Sequence, residues 1–295
     1  RFFDGDPSRA PLILPCELIE RNGEALRSTI LSYAELWKLP DAFRSWIADH
    51  TGFCNTLVDR IVPGFPQDNI EEVWSETGFR DELVVSAEPY HLWVLEPITK
   101  GLTCEKLARI LPLEKAGINI KCTDNLDAYR TIKVRILNGA HTTMVPIAWL
   151  RGIRTVRDAI DDTVVGTFVR EAIEKEIIPT LSHSQEELGQ FASDVVERFR
   201  NPFIRHELSA IALNSVSKFQ VRVLPSILEY HRLNGGLPER LLESLAALIL
   251  FYKGEWKGEA TPVRDTPEVL HAFKEAWDTH DPVRSILANE PLWKT

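Results

Sequence analysis

At 295 residues with 44% hydrophobic side chains, the chain is long enough for two cored domains or one large one. Its formal charge of -9 argues against a nucleic-acid partner, because a reader of the phosphate backbone needs a net basic face to displace counterions. No apolar run approaches the roughly 18 residues of a membrane span, and the opening residues lack the apolar core of a secretion signal, so a cytoplasmic setting is expected.

Leu12 to Glu17 reads as a short buried strand. Asn22-Gly23-Glu24 then opens a helix whose apolar positions run from Leu26 to Leu36, and Asp41 starts a second through Phe43, Trp46 and Ile47. Phe53 to Ile61 has strand character, closed by Pro63-Gly64-Phe65-Pro66. Two more short strands are expected at Leu83 to Ala87 and His91 to Leu95, with Glu88-Pro89 as the turn between them. Strands and helices thus mix in the α/β manner up to about residue 122.

Beyond Cys122 the strand signals fade. Asp124 can cap a helix carrying Leu126, Tyr129, Ile132 and Ile136. Helical runs follow at Asp158 to Ile178, at Ser184 to Phe199 with Ser184 and Glu187 as a capping box, at His206 to Leu224, at Pro238 to Phe251 and at Pro267 to Asp278. The expected domains are therefore an α/β part over 1–122 and an all-α part over 123–295, helical for most of its length. A small-molecule cleft is expected at the seam between them.

Cys16, Cys54, Cys104 and Cys122 are irregularly spaced with no CxxC pair, so reduced thiols are expected. The histidines form no HExxH or similar ligand set, and no metal is expected. Neither the composition nor the patterning carries a signal of oligomeric state.

The chemistry concentrates in Lys133-Val-Arg-Ile-Leu-Asn138-Gly-Ala-His141. A lysine amine can move a hydroxyl proton, an amide can hold a developing alkoxide, and an imidazole can orient the oxygen between them. Each also has an ordinary use, Lys133 as a solvated helix lysine, Asn138 as a cap and His141 as a satisfied core histidine. On an ideal helix Asn138 and His141 share a face, whereas Lys133 lies roughly 7 to 12 Å earlier along the axis, so its long arm or a bend must bring it back. Gly139-Ala140 removes bulk as at a ligand approach, and Pro146 is expected to kink or restart the helix.

The Lys133-x4-Asn138-x2-His141 spacing, together with Phe53-Cys-Asn-Thr-Leu-Val-Asp-Arg-Ile61 and Cys16-Glu-Leu-Ile-Glu-Arg-Asn-Gly23, resembles the long-chain mannitol dehydrogenase family. Asn138-Gly-Ala-His-Thr-Thr-Met-Val-Pro146 and Ile211-Ala-Leu-Asn-Ser-Val-Ser-Lys-Phe219 through Val221-Arg-Val-Leu-Pro225 are most similar to members that act on uronates. The resemblance covers essentially the whole chain. It implies a remnant of a Rossmann-type α/β domain followed by an all-α C-terminal domain. The activity it implies is metal-independent hydride transfer between NAD(H) and C3 of an open-chain uronate, D-tagaturonate giving D-altronate.

By the same resemblance Lys133 is the general acid/base, Asn138 donates to the reacting oxygen and His141 orients the substrate. Glu17, Asn55, Val58 and Asp59 are assigned to the cofactor end, and Arg60, Lys218 and Arg222 to the substrate. Two departures bear on specificity. Glu17-Leu18 stands where polyol-active members carry Asp-Asn, and Ala210 stands where they carry a substrate-binding arginine. Both weaken mannitol as substrate, and Arg222, four residues after Lys218, is the expected cation for a uronate carboxylate. The alternatives are a fructuronate reductase, a polyol dehydrogenase, and, from another class, a non-catalytic helical domain that binds a partner. The chain contains no GxGxxG for a cofactor pyrophosphate, so it is expected to be the C-terminal portion of a longer protein and to bind NAD poorly by itself.

Overall fold

The computed structural model describes residues 3–62, 64–67, 69–112, 115, 117–203 and 205–294. The chain divides into two compact units, Arg1–Arg130 and Thr131–Thr295, and the helix Leu126–Ile132 crosses that division.

The first unit is built on a four-stranded sheet in the order β1 (Leu12–Ile13), β2 (Gly52–Asp59), β3 (Leu92–Pro97), β4 (Ile120–Cys122). The β1–β2 and β3–β4 pairs are parallel, and β2–β3 is antiparallel. Residues alternate between the two faces of a strand, and β2 shows why its sequence demands this. Phe53 packs with Trp46 and Ile47 of α2 (Asp41–His50) and with Ile30 and Leu31 of α1 (Asn22–Leu36). Its neighbour Cys54 belongs to a second cluster, with Leu95 and with Leu107 of α4 (Cys104–Ile110).

Asn22 ties these parts together. Its side-chain amide donates to the carbonyls of Pro15 (3.0 Å) and Glu17 (3.1 Å), and its oxygen accepts from the Thr56 backbone N–H at 2.8 Å. The following Gly23 lets α1 lie directly on β2, since a Cβ there would fall 2.2 Å from the Cys54 carbonyl oxygen. Arg21, just before, takes a left-handed conformation at φ 50°. The Asn-Gly pair thus marks a tether and a close approach as well as a helix start.

Several expectations need correction. The first strand stops at Ile13 because the chain from Cys16 to Arg21 bends to meet Asn22. Leu83 to Ala87 is not a strand; a single bridge joins Ser86 to Gly64, and Leu83 is largely exposed, so the segment has no face to bury. The short helices α3 (Ile70–Thr77) and α4, and the strand β4, were not foreseen. The thiols are not all reduced: Cys104, opening α4, is bonded to Cys122, ending β4, with Cα atoms 5.5 Å apart. That distance is set by the packing of α4 beside β3 and β4, which irregular sequence spacing does not reveal.

The second unit is all-helical apart from a two-stranded hairpin, β5 (Glu255–Trp256) with β6 (Glu259–Ala260). At its centre is α6 (Gly139–Leu150), with every residue from Gly139 to Pro146 buried. A helix apolar on all sides has no solvent face and becomes the axis of its domain. Pro146 neither breaks nor restarts it.

The α-helices that follow it are α7 (Val156–Asp161), α8 (Thr163–Glu171), α9 (Gln185–Phe199), α10 (Leu208–Ile211), α11 (Ser215–Arg222), α12 (Leu224–Asn234), α13 (Glu239–Phe251) and α14 (Pro267–Trp277), then the short α15 (Pro282–Leu287) and α16 (Glu290–Trp293), of which α7, α8, α10, α11 and α13 pack on α6. The run expected over Asp158 to Ile178 is interrupted at Asp162, whose extended backbone lets its carboxylate accept from Val164 N (3.0 Å) and Val165 N (2.8 Å) and cap α8. The run expected over His206 to Leu224 breaks at Asn214, left-handed at φ 52°. Ser184 caps α9 as expected, accepting from Glu187 N at 3.2 Å. Among the described residues no helix is long and apolar enough to cross a membrane.

Candidate functional site

The chain reaches Lys133 through α5 (Leu126–Ile132) and then widens into a π turn, Lys133–Asn138, before α6. In a π turn the backbone hydrogen bond closes on the fifth residue instead of the fourth. Lys133 and Asn138, five apart, become neighbours one turn above the other. The π turn thus brings Lys133 and Asn138 closer in register than an ideal helix would. Arg135 secures the turn from another side: its Nε donates to Ser226 Oγ at 2.7 Å and an Nη to Thr180 Oγ1 at 3.4 Å. Burial pushes this guanidinium down to about 10.

Asn138 has helical φ/ψ and makes no cap hydrogen bond with its side chain, so it is not a helix cap. Its backbone carbonyl accepts from Thr142 Oγ1 at 2.9 Å, and Thr142 Oγ1 in turn accepts from an Nη of Arg222 at 3.4 Å. Gly139 removes bulk for a neighbouring helix, and the expectation of a ligand approach there is corrected. A Cβ on Gly139 would lie 3.3 Å from the Arg222 carbonyl oxygen, so the glycine lets α11 press against α6.

His141 is 6% exposed, and its Nε2 is buried with no hydrogen-bond partner. It is not a satisfied core histidine. Its ring stacks on Phe199 at 4.1 Å and meets His206 edge-on at 5.2 Å. Burial first, then the coupling to the His206 ring and the positive charges of Arg222, Arg198 and Lys218, hold the imidazole well below its ordinary value, so it is neutral. A neutral imidazole offers one donor and one acceptor.

Lys218 and Arg222 share one face of α11. Lys218 Nζ donates to the Ile211 carbonyl at 2.8 Å, and Arg222 to the Thr142 hydroxyl. Both of these partners are neutral oxygens, and burial lowers the pKa of each cation. The start of α11 is fixed by Tyr252, whose hydroxyl accepts from Ser215 N (3.1 Å) and Val216 N (3.3 Å) and donates to Asp265 Oδ2 at 2.5 Å.

The second unit therefore brings His141 together with Lys218, Arg222, Arg198 and His206. It sets Lys133 and Asn138 on the turn that leads to them. Arg198, at the end of α9, and His206, before α10, carry no spacing signal relative to residue 141. Only the packing of α9 against the π turn reveals Arg198, and only that of α10 against α6 reveals His206. A cavity of about 430 Å³ in the same unit, lined by Arg170, Ile173, Glu174, Ala192, Val196 and Arg200 among others, holds none of these residues. Its mixed charges favour no ion, which leaves the His141 cluster as the candidate site.

The remaining expected residues lie in the first unit. Glu17 is exposed, with its carbonyl held by Asn22. Asn55 is fully buried and its amide is committed, donating to Glu96 Oε2 at 2.8 Å and accepting from Glu24 N at 3.2 Å. Val58 and the buried Asp59 pair with Trp93 and Leu92 along β3. Arg60 is exposed, and its Nε donates to the Glu88 carbonyl at 2.9 Å. Among the described residues no group of three or more His, Cys, Asp or Glu is positioned to hold a metal ion.

An α/β unit followed by a helical unit that carries a neutral buried imidazole among cations defines a two-domain class of fold with a polar site in its helical part. The chain belongs to the mannitol dehydrogenase family: residues 125–295 match its C-terminal domain and residues 6–106 its Rossmann domain. Similar proteins include the altronate oxidoreductases of Bacillus subtilis (strain 168), 47% identical over 99% of this chain and 59% of that protein, and of Shigella flexneri, 42% identical over 99% and 61%. The chain thus spans about three-fifths of the length of these relatives. Among solved structures, a ternary complex of Pseudomonas fluorescens mannitol 2-dehydrogenase with NAD and D-mannitol is 25% identical, with a TM-score of 0.70 over 96% of this chain and 56% of that one. A substrate-free D-sorbitol dehydrogenase at 24% identity has a TM-score of 0.77 over 95% and 58%, which supports the same fold.

Proposed function

We propose that this chain supplies the substrate-side machinery of an NAD-dependent, metal-independent oxidoreductase that interconverts D-tagaturonate and D-altronate. Residues 1–122 serve the cofactor and residues 123–295 the substrate. One observation carries the reading: a buried neutral His141 with an unpartnered Nε2 sits among Arg198, Lys218 and Arg222. An orphaned buried nitrogen costs about 1–3 kcal/mol unless a ligand or water satisfies it, and three cations around it favour an anionic ligand rich in oxygen. The identity to altronate oxidoreductases favours the uronate over a neutral polyol.

The donor set suits a carbonyl that becomes an alkoxide, which is the chemistry NAD(H) supplies by donating a hydride. Val58, Asp59, Asn55 and Glu17 are the residues assigned to the cofactor; the committed amide of Asn55 makes its role there one of shaping β2. Lys133 delivers the proton to the developing alkoxide and withdraws it in the reverse direction. Asn138, whose amide is not used as a cap, donates to that oxygen, and His141 Nε2 fixes its position. Arg222 and Lys218 hold the carboxylate, with Arg222 set by Thr142, and Arg60 is a further substrate-binding residue.

The experiment is NADH oxidation by the full-length gene product with tagaturonate, fructuronate and fructose side by side. Tagaturonate is expected to dominate. Dominant turnover of fructose would replace this reading with a polyol dehydrogenase, and no turnover of any would favour a non-catalytic domain.

A further inference from the structure

Resting on the reading above, we infer that His206 is a second substrate-binding imidazole, which reads a hydroxyl beside the reacting carbon and so helps determine specificity. The motif that singled out Lys133, Asn138 and His141 does not include it. Its place in the fold is what assigns the role.

The His206 ring meets His141 edge-on with centroids 5.2 Å apart and planes 78° apart. His141 presents a buried Nε2 that has no partner in the protein. A ligand oxygen that satisfies this nitrogen has His206 beside it, and the next oxygen along a polyhydroxy chain is the group within its reach. His206 is half-buried, so it meets the His141 ring while part of the residue stays accessible to solvent.

The backbone that carries His206 is held on both sides. Its carbonyl accepts from Val156 N at 2.9 Å, Leu208 N donates to the Arg154 carbonyl at 2.9 Å, and Thr155 bridges Glu207. A ring on a strap pinned this way is pre-organised, which is what a specificity contact requires. The chemistry also separates it from its neighbours. Arg198, Lys218 and Arg222 carry only donors and suit a carboxylate. A neutral imidazole offers a donor and an acceptor, which matches a hydroxyl. Burial favours that neutral form at His206.

The test uses the full-length protein with altronate and its 2-deoxy and 4-deoxy analogues. His206→Phe keeps a planar ring without nitrogen, and His206→Gln keeps a donor and an acceptor. We expect His206→Phe to raise KM for altronate about tenfold while kcat changes less than threefold, and His206→Gln to restore most of the affinity. One deoxy analogue should bind the wild type about tenfold more weakly yet show no further loss with His206→Phe, the signature of a shared contact. If the two losses multiply for both analogues, or KM is unchanged in a folded His206→Phe protein, the inference is overturned while the oxidoreductase reading stands. A wild type that turns over no uronate overturns both.

Discussion

The His141 imidazole lies stacked on Phe199, centroids 4.1 Å and planes 23° apart. Phe199 is 4% exposed and sits in the last turn of α9, so its position is set by the core. It fixes the plane in which His141 offers its nitrogen. Phe199→Leu keeps most of the apolar bulk but removes the stacking plane. We expect kcat/KM to fall by on the order of ten- to a hundredfold, the range for misplacing a reactive group by about 1 Å. Steady-state kinetics alongside a melting curve checks this. An unchanged kcat/KM would mean that the stack does not position the imidazole.

Lys133→Ala in the full-length protein is expected to lower kcat by on the order of a hundredfold or more, with a smaller change in KM, as for loss of a general acid/base. Unaltered turnover would remove Lys133 from the mechanism. Arg135→Met tests the frame around it, because Arg135 anchors the π turn to Ser226 and Thr180 without belonging to the assigned chemistry. Its loss should lower both stability and kcat.

How much of this was legible in the sequence depends on the distance over which each feature is encoded. Ser184 with Glu187 and the apolar spacing of α1, α9 and α13 are local, and those helices lie where periodicity placed them. Lys133, Asn138 and His141 were visible as a motif, but the π turn that brings the first two into one column was not, because a widened turn leaves no mark in side-chain type. The Cys104–Cys122 bond, Arg198 and His206 depend on which elements pack together, and Gly139 could be read as an opening for a ligand until α11 was seen to fill it. Breaks at Asp162 and Asn214 were in principle readable, since both residues favour caps and left-handed turns.

Acid should weaken the fold through His141 and His206. Both imidazoles are depressed in the folded state, so the unfolded chain binds more protons once pH falls below about 6.5. Stability from these groups is present above that pH and is lost as pH falls from there towards the folded values. Melting temperatures of the wild type measured from pH 7.5 down to pH 5 should drop more steeply than those of His141→Gln, which has no proton to gain. Parallel curves would show that burial of His141 does not contribute.

The bond between Cys104 and Cys122 leaves Cys16 exposed and Cys54 buried as free thiols. Thiol titration of the denatured, unreduced protein is expected to find two reactive groups, and four after reduction. A bond closing a loop of this size stabilises by about 2–4 kcal/mol, so Cys104→Ser should lower the melting temperature. Finding four thiols without reduction would contradict the pairing.

Tyr252 connects the fold to the cations. Its hydroxyl accepts two N–H groups at the start of α11 and donates to Asp265, while the helix carries Lys218 and Arg222 in its following turns. Tyr252→Phe keeps the ring, which packs on Phe273 at 4.6 Å, but leaves the two amides unsatisfied. The cost should be about 1–3 kcal/mol, the penalty for buried donors without a partner. Because α11 is then less firmly placed, KM for the anionic substrate should rise more than kcat falls. Neutral substrates, which do not depend on Lys218 and Arg222, should be affected less. Comparing tagaturonate with fructose in the same variant separates a general loss of fold from displacement of the cations, since an equal effect on both substrates would trace the change to stability alone.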